Sequence, residues 1–539
     1  MPTTASPEDL FLKALKSSLP IALPQFLAKQ RWFGGKARTI RSVEVSDIIP
    51  FHSDTLRSYL IVALVKYASG SGETYDIPLM RVPDGPARLS DSSSLRIQPG
   101  NFPEEIILQD ALTDDKFLAQ LLDAIASGVS LSGAQGWVRA VSTPVLRSLW
   151  QPSQGPLTPS VMNAEQSNTS VVYQKRLVLK VFRRLEEGLN PDLEIGSFLT
   201  GKTSYRNVPP LAGYLEYRKE TGASAALGML QAYIANQGDA WQFTLKALAD
   251  YYGKASHSGS LKADEIPRAP LLTLCAQALP DEATRRIGPF LDSAALLGRR
   301  TAELHLALAS VPEDPDFAPQ PFSEGDLQAF ANSAAQLLTA NFDLLRRLKD
   351  QMPNHARQEA ERVLQLEDVA RRRFQLLTGR EISAMVTRIH GDYHLGQVLF
   401  TGSDFVIIDF EGEPARLLEE RRKKRSPLQD VAGMLRSFHY AAYAPLLQAN
   451  SKRSPQEELQ ALGHWAPYWQ KWVSATFLKT YLAVSGNSIF IPQGREELAL
   501  LLDLYLLDKA VYELGYELNN RPSWVRIPLD GISQLLQDS

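Results

Sequence analysis

Two aspartates and one glutamine in the second half of the sequence have the types and the spacing that phosphoryl transfer needs. The stretch 389–399 reads IHGDYHLGQVL, with Asp392 followed five residues later by Gln397, and Asp409 comes after a short apolar segment. A carboxylate can accept the proton of a substrate hydroxyl. An amide oxygen and a second carboxylate are hard ligands of the kind that Mg²⁺ prefers. The pattern therefore predicts Asp392 as the catalytic base and Gln397 and Asp409 as magnesium ligands.

The segment between the two aspartates contains two short strand-like runs. Val398–Phe400 and Phe405–Ile408 are joined by the turn sequence TGSD, so we expect a small β-hairpin inside an otherwise helical half. Such a hairpin would bring the base and both metal ligands to one side of a triphosphate, where positioning and charge neutralisation catalyse the transfer. A single aspartate in a turn is commonplace. The ordered set, with apolar strands between its members, favours an ATP-dependent phosphotransferase.

A lysine inside an earlier apolar strand is a second candidate. Lys180 lies in LVLKVF (177–182), and a lysine in such a strand is costly unless it is paired. Glu194, at the start of the following predicted helix, is the expected ion-pair partner, and Lys180 would bind the α- and β-phosphates. The alternative is an edge-strand lysine that protects the sheet against aggregation.

The polar segment EQSNTS (165–170) directly precedes this pair of strands. Its small hydroxyl and amide side chains, with Ser167, Asn168 and Thr169 among them, suit a loop that covers the phosphates. A plain polar turn explains the composition almost as well. The sequence Gly34-Gly35-Lys36 is not a Walker phosphate loop, because Gln30 stands where that pattern requires the first glycine.

Hydrophobic periodicity divides the chain into a β-rich and a helical part. Strands are predicted over 41–49, 59–67, 74–82, 171–173 and 177–182, with a Pro/Gly/Ser-rich loop over 83–103. Asp192 is a candidate N-cap for a helix that begins at Leu193. Helices are predicted over 104–127, 193–200, 286–310, 324–349, 355–377, 427–449, 456–485 and 495–518.

The composition is that of a folded protein with no strong net charge. Of 539 residues, 44% are hydrophobic and 22% are charged, and the formal net charge is -3, so neither disorder nor a polyanionic partner is favoured. Cys275 is the only cysteine, which excludes an internal disulfide framework and a cysteine-rich metal site. The first residues lack the pattern of a secretory signal, and the longest apolar runs are too short to cross a membrane. We expect a cytoplasmic protein that binds neither nucleic acid nor membranes.

Several long stretches together resemble the bacterial maltokinases, which belong to the aminoglycoside-phosphotransferase-like branch of the protein-kinase fold. The matching stretches, spread over essentially the whole chain, are 30–38 (QRWFGGKAR), 165–173, 177–200, 231–241, 390–399, 407–442 and 512–529. The resemblance implies an α+β, bilobal kinase-like fold with a β-rich N-terminal cap (1–90), an N-lobe (91–235) and a large helical C-lobe (236–539). It also implies ATP-dependent phosphorylation of maltose at the reducing-end anomeric hydroxyl, which gives maltose 1-phosphate in trehalose-to-α-glucan metabolism, and trehalose synthase as a partner.

The resemblance adds residues to the predicted site. The family's base, metal ligands and phosphate lysine fall on the residues already named, and Glu411, which replaces a glycine of protein kinases, becomes a further candidate metal ligand. The stretch 231–239 should contain the hinge to the adenine, with Gln231 and Tyr233 as candidate contacts. The motif QRWFGGKAR of the cap is expected to be structural rather than catalytic.

Recognition of a sugar needs planar polar groups for the hydroxyls and aromatic faces for the apolar side of the ring. The candidate contacts are His390, Tyr393, Arg436, Tyr440, Tyr512, Glu513, Tyr516 and Arg521. Trp465, Trp469 and Trp472 also recur at helical spacing, but such a stripe is more typical of a protein core.

Two other functions fit the same sequence. One is a related small-molecule kinase that acts on glucosamine or an aminoglycoside, although an aminoglycoside pocket should be strongly acidic and this C-terminal half mixes acids with arginine and aromatic residues. The other is a catalytically silent scaffold that binds nucleotide or trehalose synthase. The joint presence of Lys180, Glu194, Asp392, Gln397 and Asp409 argues against the scaffold.

Overall fold

The chain forms two compact units. The computed structural model describes residues 7–53, 56–82, 94–98, 105–162, 167–257, 261–447 and 461–537. The first unit comprises residues 1–200 and 209–235, and the second comprises residues 201–208 and 236–539. The longer segment of the second unit begins at residue 236, which is also where the C-lobe is predicted to start. The predicted boundary between cap and N-lobe, after residue 90, lies outside the described residues and stays a prediction.

An antiparallel sheet and the long helix α1 (Pro7–Lys29) begin the first unit. The strands are β1 (Ile40–Pro50), β2 (Ser58–Tyr67), β3 (Glu73–Arg81), β4 (Ser94–Ile97), β5 (Ile106–Asp110) and β11 (Arg184–Leu185). Their order is β1-β2-β3-β5-β4, with β11 paired to β3. The three strands predicted between 41 and 82 are confirmed. The helix predicted over 104–127 is wrong in its first part, because alternate residues of β5 are buried, and right in its second part, which is α2 (Asp115–Ser127).

Strand β2 is almost continuously apolar because both of its faces are buried. Tyr59 and Ile61 pack into a core that contains Leu15 of α1, whereas Leu60 and Val62 pack into a second core that contains α2 and the next sheet. Successive side chains of a strand point to opposite faces, so one strand serves both cores. The sequence pattern of a strand buried on two faces is a run without alternation.

A second antiparallel sheet completes the first unit. Its strands are β6 (Ser130–Ser132), β7 (Gly136–Ser142), β8 (Pro159–Val161), β9 (Asn168–Tyr173), β10 (Leu177–Phe182), β12 (Leu211–Lys219) and β13 (Ser224–Ala232), in the order β6-β7-β12-β13-β10-β9-β8. The predicted hairpin is confirmed as β9 and β10, and its turn residues Gln174 and Lys175 have φ of 47° and 54°. The connection Gln174–Arg176 between the paired residues Tyr173 and Leu177 thus reverses the chain with two residues in the left-handed region.

The helices of the first unit are α1, α2, α3 (Pro144–Leu149) and the start of α4 (Pro191–Lys202) among the described residues. The prediction that Asp192 caps α4 is wrong. The side chain of Asn190 accepts hydrogen bonds from the backbone N–H groups of Asp192 and Leu193, at 2.9 and 3.1 Å. Asn190 therefore caps the helix, Pro191 takes its first position, and the Asp192 carboxylate is left for another partner.

The second unit is mainly helical. Its helices are α5 (Ala240–Ala255), α6 (Leu271–Ala276), α7 (Asp281–Ile287), α8 (Phe290–Leu308), α9 (Glu324–Leu348), α10 (Asn354–Gln365), α11 (Glu367–Gln375), α12 (Leu418–Arg422), α13 (Leu428–Leu447), α14 (Trp465–Ser485), α15 (Arg495–Asn520) and α16 (Arg526–Gln537). Two short hairpin-like pairs interrupt them: β14 (Gln320–Pro321) with β15 (Met385–Val386), and β16 (Val398–Phe400) with β17 (Phe405–Ile407). No helix in the described ranges is both long and apolar enough to span a lipid bilayer.

The helices predicted in this half are confirmed, with two differences. The helix predicted over 355–377 is divided at Leu366 into α10 and α11. The helix predicted over 456–485 is seen from Trp465, and residues 456–460 lie outside the described ones. The tryptophan stripe is part of the core, since Trp469 is fully buried and lies against the rings of Phe290 and Phe438.

Helices α8 and α14 approach each other most closely at Gly298. A Cβ atom at this position would lie 2.3 Å from the carbonyl oxygen of Phe477, which belongs to the α14 backbone and has little freedom to move. Gly253, in α5, is exposed and has no atom within 4 Å of the equivalent point. The two glycines therefore form a matched pair for testing how tightly these helices pack.

We expect Gly298→Ala to lower the free energy of unfolding by about 1–3 kcal/mol, because the overpacking of a close helix contact outweighs the better helix propensity of alanine. Gly253→Ala should raise it by about 0.5–1 kcal/mol. Urea unfolding of both variants, followed by circular dichroism, measures the difference. Equal effects of the two substitutions would contradict the close contact between α8 and α14.

Candidate active site

The loop that carries Asp392 is held by its backbone to the first turn of α13. The N–H groups of His390 and Gly391 donate to the two carboxylate oxygens of Asp430, at 2.7 and 2.9 Å. His305, on α8, donates through Nε2 to the same carboxylate at 3.1 Å. Burial acts to raise the pKa of Asp430, but the hydrogen bond and charge of His305 and the other donors hold it below its ordinary value. The fully buried carboxylate is therefore ionised and anchors the loop.

Two further residues on the same face of α13 complete this support. A Cβ atom at Gly433 would lie 2.5 Å from the carbonyl oxygen of Tyr393, so only glycine lets the helix lie this close to the loop. One turn further on, the hydroxyl of Ser437 accepts a hydrogen bond from the N–H of Leu395 at 3.1 Å. Because residues 430, 433 and 437 recur at helical spacing, one helix face fixes the loop before and after the base.

Two further predicted sugar contacts, His390 and Tyr393, are buried and bonded within the protein. His390 is 1% exposed, its Nε2 donates to the Ile408 carbonyl at 2.9 Å, and its Nδ1 accepts from the Asp392 N–H at 3.4 Å. The hydroxyl of Tyr393 is buried and bonded to that of Thr301 at 2.9 Å. Both side chains help to hold the loop, and their part in sugar recognition stays a prediction.

Gln397 and Asp409 meet at the base of the β16-β17 hairpin, as predicted. Gln397 Nε2 donates to Asp409 Oδ2 at 2.8 Å, and one carboxylate oxygen of Glu411 lies within 4.8 Å of one of Asp409. Asp409 has φ of 67°, a left-handed conformation that costs free energy in a residue with a side chain. An amide oxygen and two carboxylates are a donor set that suits Mg²⁺, so these three residues could hold that ion.

The tip of the hairpin is fixed by an ion pair that sequence reasoning missed. Arg300 on α8 donates through Nε and Nη2 to the two oxygens of Asp404, both at 2.8 Å. Asn207 adds a hydrogen bond to Asp404 Oδ2 at 3.2 Å. Burial alone would raise the pKa of Asp404, but the Arg300 hydrogen bonds lower it. The turn residue predicted as part of TGSD is thus an anchor for the strands that carry the metal ligands.

The predicted base is exposed at one end of a polar pocket in the second unit. Asp392 is accessible over 22% of its side chain, and Lys509 on α15 places its ammonium group 3.5 Å from Oδ1. Burial opposes the charge of Lys509, but the carboxylates of Asp392, Glu513 and Glu413 raise its pKa above the ordinary value, so it is cationic. Burial lowers the pKa of His394, whose Nε2 lies 4.0 Å from Asp392 Oδ2.

The pocket contains charged side chains of both signs together with tyrosine rings. Its lining includes Asp392, Glu413, Arg416, Tyr505, Asp508, Lys509 and Tyr512. Burial raises the pKa of Asp508 to about 6. Among the predicted sugar contacts, Tyr393 and Tyr512 line this pocket, and their part in sugar recognition stays a prediction. The other lining residues on α15 and after the hairpin were not predicted. The sequence does contain a signal for these residues, because Asp508 and Lys509 stand next to each other in an otherwise apolar helix.

Three other predicted sugar contacts have internal partners. Arg436, 4% exposed, donates through Nε to Glu513 at 2.8 Å and through Nη1 to His439 at 2.6 Å. The Tyr440 hydroxyl donates to Glu517 at 3.1 Å. The polar groups of Arg436, Tyr440 and Glu513 are thus paired with each other, with His439 and with Glu517, as is usual for buried polar groups. Their part in sugar recognition stays a prediction.

Two predicted contacts are exposed. Arg521 donates through Nη2 to Glu517 at 2.6 Å and keeps 44% of its side chain accessible, while Tyr516 is 47% exposed. Neither residue lines the pocket at Asp392. Their part in sugar recognition stays a prediction.

In the first unit, Lys180 is paired as its place in an apolar strand requires. Its ammonium group lies 3.0 Å from Oδ2 of Asp192, the residue that the N-cap leaves available. Glu194 is 7% exposed in the same first turn of α4, and its pairing with Lys180 stays a prediction. Lys180 lies on β10 between β9 and β13, which contradicts the edge-strand alternative.

The remaining predicted nucleotide contacts lie at the ends of the central strands of the second sheet. Asn168 and Thr169 begin β9, opposite Phe182 and Val181 of β10, and Ser167 precedes them. Gln231 belongs to β13, and the N–H of Tyr233 donates to the Arg176 carbonyl at 2.8 Å. Residues 165 and 166 lie outside the described chain. The nucleotide-binding roles of these residues stay predictions.

Comparison with known proteins identifies two regions. Residues 26–114 match the maltokinase N-terminal cap domain, and residues 275–468 match the phosphotransferase enzyme family. The glucosamine kinase of Mycolicibacterium smegmatis is 21% identical over 382 residues, which is 70% of this chain and 79% of that protein. The glucosamine kinase of Streptacidiphilus jiangxiensis is 23% identical over 150 residues, 28% of this chain and 32% of that protein.

Solved structures share the fold at low sequence identity. A glucosamine kinase in crystal form B has a TM-score of 0.60 and 17% identity, over 93% of this chain and 95% of that one. A glucosamine kinase in complex with glucosamine, ADP and inorganic phosphate has a TM-score of 0.59 and 16% identity, over 95% of this chain and 98% of that one.

The β-rich N-terminal part, the helical C-terminal part and the β16-β17 hairpin together form a kinase-like fold. Within it, one segment matches the maltokinase N-terminal cap domain and another matches the phosphotransferase enzyme family, which agrees with the sequence resemblance.

We expect Asp430→Asn to lower the free energy of unfolding by about 2 kcal/mol and turnover by at least about tenfold, because asparagine replaces one of the two accepting oxygens with an NH2 donor and leaves one backbone N–H of the loop without its acceptor. Turnover and urea unfolding measure the two effects. Asp343→Asn, at a helix surface position 51% exposed, is the matched control and should change neither. Normal turnover in Asp430→Asn would show that α13 does not position the loop.

Proposed function

We propose that the protein is an ATP-dependent sugar kinase that transfers the γ-phosphoryl group to the anomeric hydroxyl of maltose. The observation that carries the proposal is the pocket at Asp392, where a rigidly held carboxylate faces polar side chains and the rings of Tyr505 and Tyr512. Aromatic faces and charged hydrogen-bond partners are what a sugar ring and its hydroxyls need. The match of residues 26–114 to the maltokinase cap supports maltose as the sugar.

In this proposal Asp392 accepts the proton of the attacking sugar hydroxyl. Its backbone is fixed through His390 and Gly391 to Asp430, so little reorganisation is needed when the hydroxyl arrives. The ammonium group of Lys509, 3.5 Å away, balances the carboxylate charge and can donate to the same hydroxyl. In the first unit, Lys180, held by Asp192, is the proposed partner of the phosphate oxygens.

Magnesium would be held by Gln397, Asp409 and Glu411, whose oxygen donors suit a hard divalent cation. The ion would neutralise phosphate charge when bound. Two of these residues already lie next to each other, because Gln397 Nε2 is 2.8 Å from Asp409 Oδ2. The hairpin on which they lie is anchored through Asp404.

The charges of the pocket favour a neutral sugar. Lys509 and Arg416 stand against Asp392, Glu413 and Asp508, so the two cations offset most of the negative charge of these carboxylates. An ammonium group on the sugar would meet the ammonium group of Lys509 at the end where the base lies. Maltose carries no such group and can use both cations as hydrogen-bond donors.

Phosphorylation of glucosamine is the second candidate function. It is favoured by the curated relative that matches 70% of this chain, which is a glucosamine kinase. Three carboxylates in the pocket could accept hydrogen bonds from an amino sugar if Lys509 turned away from Asp392. The complex with trehalose synthase remains a prediction of the sequence resemblance.

Turnover measured with Mg²⁺ and ATP against maltose, glucose, glucosamine, trehalose and kanamycin tests the proposal. We expect turnover with maltose, and a product whose phosphorus NMR signal couples to the anomeric proton. Turnover with glucosamine alone would retain the phosphotransferase site and replace the sugar. No turnover with any sugar would favour the nucleotide-binding scaffold.

We expect Asp392→Asn to keep the fold and ADP binding while turnover falls by about 10²–10⁴-fold, the usual contribution of a general base. Calorimetric titration with ADP in the presence of Mg²⁺ is the control for an intact nucleotide site, and thermal unfolding is the control for the fold. Unchanged turnover would exclude Asp392 as the base.

A further inference from the structure

Arg183 is the most deeply buried cation of the first unit that the proposed chemistry does not use. It directly follows β10, three residues after Lys180, and is 2% exposed. Burying a guanidinium group costs several kcal/mol unless every part of it is matched, and an apolar side chain of similar volume is often as stable or more so. Its surroundings therefore indicate what such a costly group does.

The guanidinium group joins the cap to the strand that begins with the predicted nucleotide loop. Nη2 donates to Asp110 Oδ2 at 2.6 Å, and the group lies 4.5 Å from the ring of Trp32. Asp110 and Trp32 both belong to the maltokinase cap, residues 26–114. Nε donates in another direction, to the hydroxyl of Thr169 at 2.9 Å. The Arg183 side chain thus contacts both the cap and Thr169, near the start of β9.

The backbone of Arg183 is also tied to the cap. Its carbonyl accepts a hydrogen bond from the N–H of Asp76 on β3 at 2.8 Å. Burial raises the pKa of Asp76 to about 7. The positive charge of Arg183 opposes this shift, whereas the negative charge of Asp110 adds to it. Asp110 is the carboxylate that the Arg183 guanidinium group contacts directly, through Nη2.

Thr169 connects the Arg183 guanidinium group to the start of strand β9. It pairs with Val181 across the β9-β10 ladder, and the neighbouring pair is Ser170 with Lys180. A shift of Thr169 would therefore move the start of β9, Ser167 and Asn168 with it, relative to the lysine. The Arg183 hydrogen bond fixes the side-chain rotamer of Thr169 as well as its backbone.

We propose that Arg183 is a positioning residue through which the cap sets the affinity of the protein for nucleotide, by holding Thr169 and the preceding loop in register with Lys180. The proposal rests on the proposed function only in taking the Ser167–Thr169 segment and Lys180 as the phosphate-binding elements. It gives the motif QRWFGGKAR a purpose beyond packing, because its Trp32 forms one wall of the Arg183 site.

The test compares Arg183→Lys, Thr169→Val and the double variant in the full-length protein. Lysine keeps a positive charge for Asp110 but has no Nε donor for Thr169, and valine keeps the shape of threonine without its acceptor. Calorimetric titration with ADP and Mg²⁺ gives Kd directly, and steady-state kinetics give KM for ATP, KM for the sugar and kcat. Arg184→Gln is the matched control, because Arg184 is 51% exposed and its ion pairs in the described part of the chain are with Glu73 and Glu186.

We expect each single variant to raise Kd for ADP and KM for ATP by about tenfold, the effect of losing a hydrogen bond from a charged donor. KM for the sugar should not change, and the double variant should be no weaker than either single one, since both remove the same contact. Arg184→Gln should bind ADP as the wild type does.

Unchanged ADP binding in Arg183→Lys, with a normal melting curve, would overturn the proposal. Effects that multiply in the double variant would also overturn it, because Thr169 would then act on the nucleotide independently of Arg183. If Arg183→Lys does not fold, Thr169→Val alone decides, since an unchanged Kd for ADP there excludes the coupling. Failure of the proposed sugar kinase activity would instead leave ADP binding intact and turnover absent.

Discussion

The active-site half of the molecule depends on one buried carboxylate. Asp430 accepts hydrogen bonds from two consecutive backbone N–H groups of the catalytic loop and from His305, so three segments far apart in the chain meet at one charge. A buried charge without such partners would be strongly destabilising, and for that reason the loop, α8 and α13 are obliged to adopt one arrangement. Gly433 and Ser437 then set the distance between helix and loop. Asp392, the proposed base, is thus placed by backbone contacts of its neighbours His390 and Gly391.

In the first unit, the order of the sheets depends on a strand that is buried on both faces. Strand β2 contributes alternate residues to a core beneath α1 and to a core shared with α2 and the second sheet. Two sheets that share packed residues in this way move together, because protein interiors are close-packed and transmit strain. The ion pair between Lys180 and Asp192 depends on the local structure at the start of α4. Because Asn190 caps this helix, the Asp192 carboxylate can pair with Lys180.

Local patterns predicted much of this architecture, and the errors have physical causes. The β9-β10 and β16-β17 hairpins follow from short apolar runs around turn residues, and the proximity of Gln397 and Asp409 follows from the second hairpin. Asp430 was missed, because its partners are backbone atoms about forty residues earlier in the chain, for which no side-chain pattern exists. The sugar contacts were the weakest part: Arg436 and Glu513 have the right chemistry for a ligand, and only the packed structure shows that they satisfy each other. Residue type alone does not distinguish a buried ion pair from a binding site.

The left-handed backbone of Asp409 has a consequence for how this position can be studied. At φ of 67°, most side chains clash with their own backbone, whereas asparagine and aspartate tolerate the conformation better than others. An alanine at 409 would change the backbone preference of the hairpin exit and the local charge together. An asparagine would change the charge alone. Aspartate at this position therefore supplies two properties at once, tolerance of the left-handed backbone and a negative charge.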